Sequence, residues 1–292
     1  MTAKRDRVVG SVLIVLGVLG LCLAQMDTAH AADRAGSTTS QTRALKAAPA
    51  ARRTTNPTVV LYGDSLAWEA KEFFAFNFAN RSDVHVVART YGGTAICDWL
   101  AEMADDAVAL VPSVVVIEFS GNALTTCMQD SAGRALTGEA LVERYRADVE
   151  AAIAAFAAVG AQILLAGAPV IQSAERHPDG VHDRTLNGMY ADVADRYLSV
   201  RYVDAGASVL DQGGWTATLP CLPGEPCTGG LDGSGQPVNV VRAPDGIHFC
   251  PAAPNARRGV TQACPVWSSG AFRFAAAMAR AAIEGLPTRR AG

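Results

Sequence analysis

Apolar positions in this chain follow two different periods. Near-continuous apolar runs, rich in β-branched residues, recur at Thr58–Tyr62, Val84–Ala88, Val114–Phe119, Ile163–Ala166 and Arg201–Val203. Short runs of this kind, without strict in-and-out alternation, are the pattern of strands buried on both faces. Between them the spacing changes to three or four. Leu141, Tyr145, Val149, Ile153 and Phe156 mark a helix over Glu139–Val159 that stops at Gly160. Two further helices are predicted at Val181–Leu198 and Ser268–Glu284. Strands alternating with helices predict an α/β fold, a three-layer α/β/α sandwich on a parallel five-stranded sheet. Ligands of such sheets bind beyond the carboxyl ends of the strands, so the chemistry is sought there.

Two stretches fall outside this pattern. Residues 205–243 are rich in Gly and Pro and show little periodicity, which in a compact domain points to a functional or stapled segment. At the N-terminus, Lys4, Arg5 and Arg7 precede an uncharged apolar run, Val8–Ala24, and Ala29-His30-Ala31 follows with small residues at the cleavage spacing. Residues 1–31 therefore read as a secretory signal peptide. Two rivals are an uncleaved anchor, at the short end for a membrane span, and a lipid-modified Cys22, against which Leu21 stands where a small residue belongs. Residues 32–57, rich in Ala, Thr, Ser and Arg, read as a flexible linker, and 58–287 as the folded domain. The expected location is extracytoplasmic, secreted or in the cell envelope, with membrane contact only through an uncleaved export segment.

Composition narrows the function. The chain has 292 residues, half of them hydrophobic, enough for one sizeable core. A formal net charge of −3 carries no basic footprint, which argues against a nucleic-acid partner. Beyond Cys22 there are six cysteines, Cys97, Cys127, Cys221, Cys227, Cys250 and Cys264. An even count in an exported chain implies disulfides, although six cysteines admit 15 pairings.

Four strings at or near predicted strand ends carry candidate chemistry. The first strand runs into Gly63-Asp64-Ser65-Leu66, which can expose a serine where the chain turns into a helix; the plain alternative is a helix cap. The second is followed by Tyr91-Gly92-Gly93-Thr94, where glycine lets a backbone N–H face a cleft, or simply makes a turn. Ser120-Gly121-Asn122 follows the third and offers a side-chain amide, or a turn residue. Near the C-terminus, Asp245-Gly246-Ile247-His248 pairs a histidine with a carboxylate three residues earlier; the alternative is a turn with a chance histidine.

Taken together, in this order, the four strings resemble the blocks of the SGNH hydrolases, also called GDSL lipases or esterases, over about residues 58 to 285. The resemblance implies a flavodoxin-like sandwich and ester hydrolysis without metal or cofactor. It assigns Ser65 as nucleophile, His248 as base, Asp245 as the orienting acid, and an oxyanion hole to Ser65, Gly93 and Asn122. The expected substrate is a small-molecule or glycan ester, acyl or acetyl, taken by a monomer. An acyltransferase with the same nucleophile, or a degenerate binding module, is the alternative. Asp64 then has a structural role in its turn. One departure is Ala123, where the family's third block has a second acid after the asparagine. The cysteines are not a general family feature. Cys97 and Cys127 follow the second and third blocks at similar distances, so a bridge between them would clamp the oxyanion loops. Cys221 would then pair with Cys227, and Cys250 with Cys264. Arg242, near the histidine string, reads as a salt-bridged surface residue that could instead meet an anionic substrate. His177, Asp179, His182 and Asp183 read as solvated polar residues rather than a metal site, and Trp68, Trp99, Trp215 and Trp267 as packing residues that could instead line a pocket.

Overall fold

The computed structural model describes residues 56–172, 183–252 and 264–287. The predicted signal peptide lies outside them, as does the linker up to residue 55. Five strands, β1 (Thr58–Gly63), β2 (His85–Thr90), β3 (Val114–Glu118), β4 (Gln162–Ala166) and β5 (Val200–Val203), form one sheet. All its pairings are parallel, in the order β2-β1-β3-β4-β5. The buried strands alternate sides. Val60, Tyr62, Val115, Ile117, Ile163 and Leu165 face one helical layer, and Val59, Leu61, Val114, Val116, Leu164 and Ala166 the other. The first layer holds α2 (Leu100–Leu110), α3 (Gly138–Ala157) and α4 (Asp183–Ala194). The second holds α1 (Ser65–Phe76) and α5 (Ser269–Glu284). This is the expected three-layer sandwich.

Strand order reverses between β1 and β3, the topological switch point at which open α/β sheets bind ligands. In register, Gly63 lies opposite both Thr90 and Glu118. The carboxyl ends of β2, β1 and β3 are therefore level, and the loops that leave them meet over one patch.

Some boundaries differ from the sequence expectation. The second strand begins one residue later, at His85, and runs to Thr90, because its register follows β1 to the end. The fourth helix stops at Ala194 rather than Leu198. Its last turn tightens, with Arg196 N–H bonding to Val193 O at 3.1 Å and Tyr197 N–H to Ala194 O at 3.2 Å, and Leu198 is left fully exposed. Within 205–243 the structure adds two small antiparallel pairs. They are β6 (Leu210–Asp211) with β7 (Gly214–Trp215), and β8 (Thr218–Pro220) with β9 (Val238–Val240). The structure joins Cys97 to Cys127, Cys221 to Cys227, and Cys250 to Cys264. No helix among the described residues is long and apolar enough to cross a membrane.

Candidate active site

The first turn of α1 arranges the serine. Asp64 is the N-cap, and its Oδ1 accepts the Leu66 N–H at 3.0 Å. Glu118, at the end of β3, accepts the Ala67 N–H at 3.1 Å. These contacts satisfy the second and third free donors of the helix start. The Ser65 N–H, at the first helical position, has no acceptor among the described residues and remains at the helix's positive end.

Asp64 does more than cap. Its other oxygen accepts the Ser120 N–H at 2.8 Å, the Ser120 hydroxyl at 2.6 Å and the Asn122 side-chain amide at 2.8 Å. One buried carboxylate thus ties the end of β1 to the loop after β3. Asn122 is held from two more directions. The second amide hydrogen reaches Thr94 O at 3.3 Å, and the main-chain carbonyl of Asn122 accepts the Tyr145 hydroxyl at 3.0 Å. In the loop after β2, Thr94 bonds back to Tyr91 O and receives the Trp99 indole N–H. Gly93 sits at φ 77°, a conformation that L side chains disfavour, with Leu124 of the β3 loop close by. The Cys97–Cys127 bridge joins these two loops.

The opposite wall is the turn 243–248. It closes through Gly246 N–H to Ala243 O at 2.9 Å and Ala243 N–H to His248 O at 2.6 Å. Asp245 Oδ1 accepts the Ile247 N–H at 2.8 Å and the His248 N–H at 3.0 Å, while Oδ2 lies 2.7 Å from His248 Nδ1. His248 Nε2 is 2.9 Å from Ser65 Oγ. A carboxylate can only accept, so Nδ1 carries the proton and Nε2 is left to accept from the serine hydroxyl.

Other elements pin this turn. The Gly246 carbonyl accepts both the Gln172 N–H and the Trp215 indole N–H at 3.0 Å. Gly246 has φ 76°, and a Cβ there would come within 2.6 Å of the Gln172 side chain. On the other side, Glu69 of α1 accepts the Phe249 N–H at 2.8 Å and the Cys250 N–H at 3.1 Å.

The acids divide by environment. Burial pushes the Asp64 carboxyl upward, against the hydrogen bonds from Ser120 and Leu66. Burial, with the Asp64 charge, pushes Glu118 well above the usual glutamate range. Burial likewise raises Glu69 against its backbone donors. Asp245 goes the other way. Partial burial raises it, but the His248 side chain and the two backbone N–H groups outweigh that and hold it below the ordinary aspartate value.

With this geometry in place, the comparisons fall on the same stretch of chain. The family model described as "Protein of unknown function (DUF459)" matches residues 58–256. The chain belongs to the DUF459 family. No curated protein matches it in sequence. Among solved structures, it is similar to a lipase/acylhydrolase from Enterococcus faecalis, with 16% identity, 80% of this chain and 100% of that chain covered, and a TM-score of 0.50. It is also similar to a putative acylhydrolase from Bacteroides fragilis, with 15% identity, 82% and 92% covered, and a TM-score of 0.47. A catalytic mutant of an acetylxylan esterase from Geobacillus stearothermophilus matches at 13% identity, 53% and 78% covered, and a TM-score of 0.41. The fold of the DUF459 chain is the SGNH hydrolase fold.

The DUF459 structure brings Ser65, Gly93, Asn122, Asp245 and His248 to one end of the sheet. One sequence expectation is overturned. Arg242 is no surface arginine but is 2% exposed, donating to Val170 O at 2.6 Å and lying 5.4 Å over the Phe249 ring. It stiffens the floor under the histidine turn. Of the tryptophans, Trp99 and Trp215 brace the two sides of the site, whereas Trp68 and Trp267 line a groove of about 350 Å³ beside α1. His177, Asp179 and His182 lie outside the described residues, and Asp183 opens α4. Among the described residues, Cys97, Asp98 and Cys127 group like metal ligands, but both sulfurs are spent in the disulfide and offer no thiolate.

Sequence reasoning finds no role for Gln172, reaches Ser120 only as a string member and Trp215 only as a packing or pocket residue, and passes over Glu69 and Glu118. The last two left a signal. Glu118 is a lone acid ending a wholly apolar strand, and Glu69 is an acid inside the apolar stripe Leu66, Ala67, Ala70 and Phe74.

Proposed function

We propose that this DUF459 protein is a serine esterase that hydrolyses acyl or acetyl esters of lipid or cell-envelope glycan outside the cytoplasmic membrane. The observation that carries the reading is the unbroken chain from Ser65 Oγ through both His248 nitrogens to Asp245. His248 Nε2 takes the Ser65 proton as Oγ attacks the ester carbonyl, and Asp245 fixes the tautomer and stabilises the imidazolium. The oxyanion sits against the N–H groups of Ser65 and Gly93, neither of which has an acceptor among the described residues, and against the Asn122 amide. His248 returns the proton to the departing alcohol. It then draws a proton from water as the water attacks the acyl carbonyl, and gives that proton to Ser65 Oγ as the bond from Oγ to the acyl carbon breaks and the acid leaves. The shared fold with a lipase/acylhydrolase supports this chemistry, and three disulfides support an oxidising compartment.

The test is a series of p-nitrophenyl esters from acetyl to palmitoyl, with acetylated xylan alongside. The wild type is expected to turn over at least one of them and to be labelled at Ser65 by a fluorophosphonate, as seen by mass spectrometry. Ser65→Ala is expected to lose both. Turnover by folded Ser65→Ala at the wild-type rate refutes the assignment.

A further inference from the structure

We infer that Glu69 is the positioning residue that sets His248 at reacting distance from Ser65. The inference rests on the Ser-His-Asp reading above and adds to it a residue that belongs to none of the four sequence blocks.

Nucleophile and base reach the site on separate elements, 183 residues apart in the chain. Their separation of 2.9 Å must hold to a few tenths of an ångström, since a misplacement of about 1 Å can cost ~10²-fold in rate. Asp245 cannot provide that. It sits three residues before His248 on the same turn, so it sets the ring's rotation within the turn and travels with it. Some group must fix the turn to the helix that carries the nucleophile.

Glu69 meets the requirement. It stands four residues after Ser65 on α1, on the same helix face one turn further on. Its side chain points inward, with the residue 7% exposed. A single oxygen, Oε2, accepts the N–H groups of Phe249 and Cys250, the two residues that follow His248. Base and nucleophile are thereby referred to the same rigid helix within one turn of each other. The next covalent anchor is adjacent, because Cys250 is bridged to Cys264.

The cost of the arrangement also indicates a purpose. No lysine or arginine among the described residues pairs with Glu69, and a carboxylate buried without a cation is expensive. Two N–H donors offset part of that cost. A core-filling residue at this position would avoid the cost but would hold nothing.

Three variants test the assignment, assayed on a p-nitrophenyl ester that the wild type hydrolyses, well below each variant's melting midpoint. Glu69→Gln keeps an acceptor oxygen at the same reach and is expected to stay within about fivefold of wild-type kcat. Glu69→Ala is expected to lose kcat by about 10²-fold with KM within twofold, and fluorophosphonate labelling of Ser65 should slow in parallel. A merely structural role would lower the melting midpoint and leave kcat of the folded protein alone. Folded Glu69→Ala with wild-type kcat overturns the proposal, and so does Glu69→Gln falling as far as Glu69→Ala. If Glu69→Ala does not fold, Glu69→Asp decides. It withdraws the carboxylate by one methylene and is expected to lose at least tenfold in kcat, and a wild-type rate overturns the proposal. A wild type that neither hydrolyses nor labels removes the parent reading and this one together. An active wild type matched by its Glu69 variants removes this one alone.

Discussion

Glu118 ends β3 in the core behind Ser65, with Oε2 on the Ala67 N–H and Oε1 without a hydrogen-bond partner among the described residues. Burial favours the protonated form of an acid so placed. In the unfolded chain it ionises near pH 4.5, while in the folded protein burial and the Asp64 charge push its pKa well above that. Between those values the native state holds a proton that the unfolded state has lost. The stability this group contributes is therefore whole below pH 4.5 and declines as pH rises toward the folded-state pKa. Glu118→Gln mimics the neutral form and removes that slope. In urea unfolding at pH 5, 6 and 7, the variant is expected to gain on the wild type as pH rises; an offset constant in pH contradicts this. Asn122 offers a second residue-scale test. One of its two amide hydrogens is held by Asp64 at 2.8 Å, and the other, on Thr94 O at a long 3.3 Å, is the one that turns to the oxyanion under the proposed mechanism. Asn122→Ala is expected to lower kcat by ~10²–10³ with little change in KM, measured on the same ester.

At the scale of elements, the loops after β2 and β3 carry Gly93 and Asn122, the proposed oxyanion donors, and the Cys97–Cys127 bridge spans 30 residues between them. The chain-entropy model gives such a loop closure about 3–4 kcal/mol. The double variant Cys97→Ser with Cys127→Ser is expected to melt earlier in calorimetry. It is also expected to lose kcat at temperatures where it remains folded, because the Gly93 and Asn122 loops then drift apart. The strands and long helices were legible in the sequence because burial on both faces imprints continuous apolar runs and a 3.6-residue period. The β6–β7 and β8–β9 pairs were not. Strands of two or three residues in a Gly- and Pro-rich segment are too short to show a period, and Cys221–Cys227 with buried Glu225 holds part of that segment instead. The segment's use was equally hidden, since Trp215 acts through one indole N–H on the Gly246 carbonyl, 31 residues away. Trp215→Phe keeps the ring and removes that bond. It is expected to reduce kcat by roughly tenfold with the melting midpoint little changed.

For the molecule as a whole, level strand ends at the switch point gather residues from Ser65 to His248 over one patch of the sheet. The residues that meet at the candidate site, Ser65, Gly93, Asn122, Asp245 and His248, were legible in advance because each sits in a short local string. Their supports were not, because Glu69, Glu118 and Gln172 act on partners tens to hundreds of residues away, and only the fold brings those together. The irregular segment is bound to the sandwich by Arg273 of α5, whose guanidinium pairs with Glu225; both side chains are buried. Glu225 also receives Ser269 and Asn239. Removing one partner of a buried pair strands the other, so Glu225→Ala is expected to lose about 3–5 kcal/mol in urea unfolding. Burial alone would raise the Glu225 pKa, but its partners, Arg273 foremost, hold it below the ordinary glutamate value. Its stabilisation is therefore present at neutral pH and lost as pH falls through the acid range, opposite in sign to Glu118.

The distance along the chain between Ser65 and His248 also sets an order of events. Ser65, its helix and the loops after β2 and β3 all precede the 243–248 turn, and His248 comes 183 residues after Ser65. Until residues 243–250 dock on α1, the Ser65 hydroxyl lacks the His248 acceptor. On the proposed mechanism, reactivity at Ser65 therefore waits on the folding of a segment far along the chain.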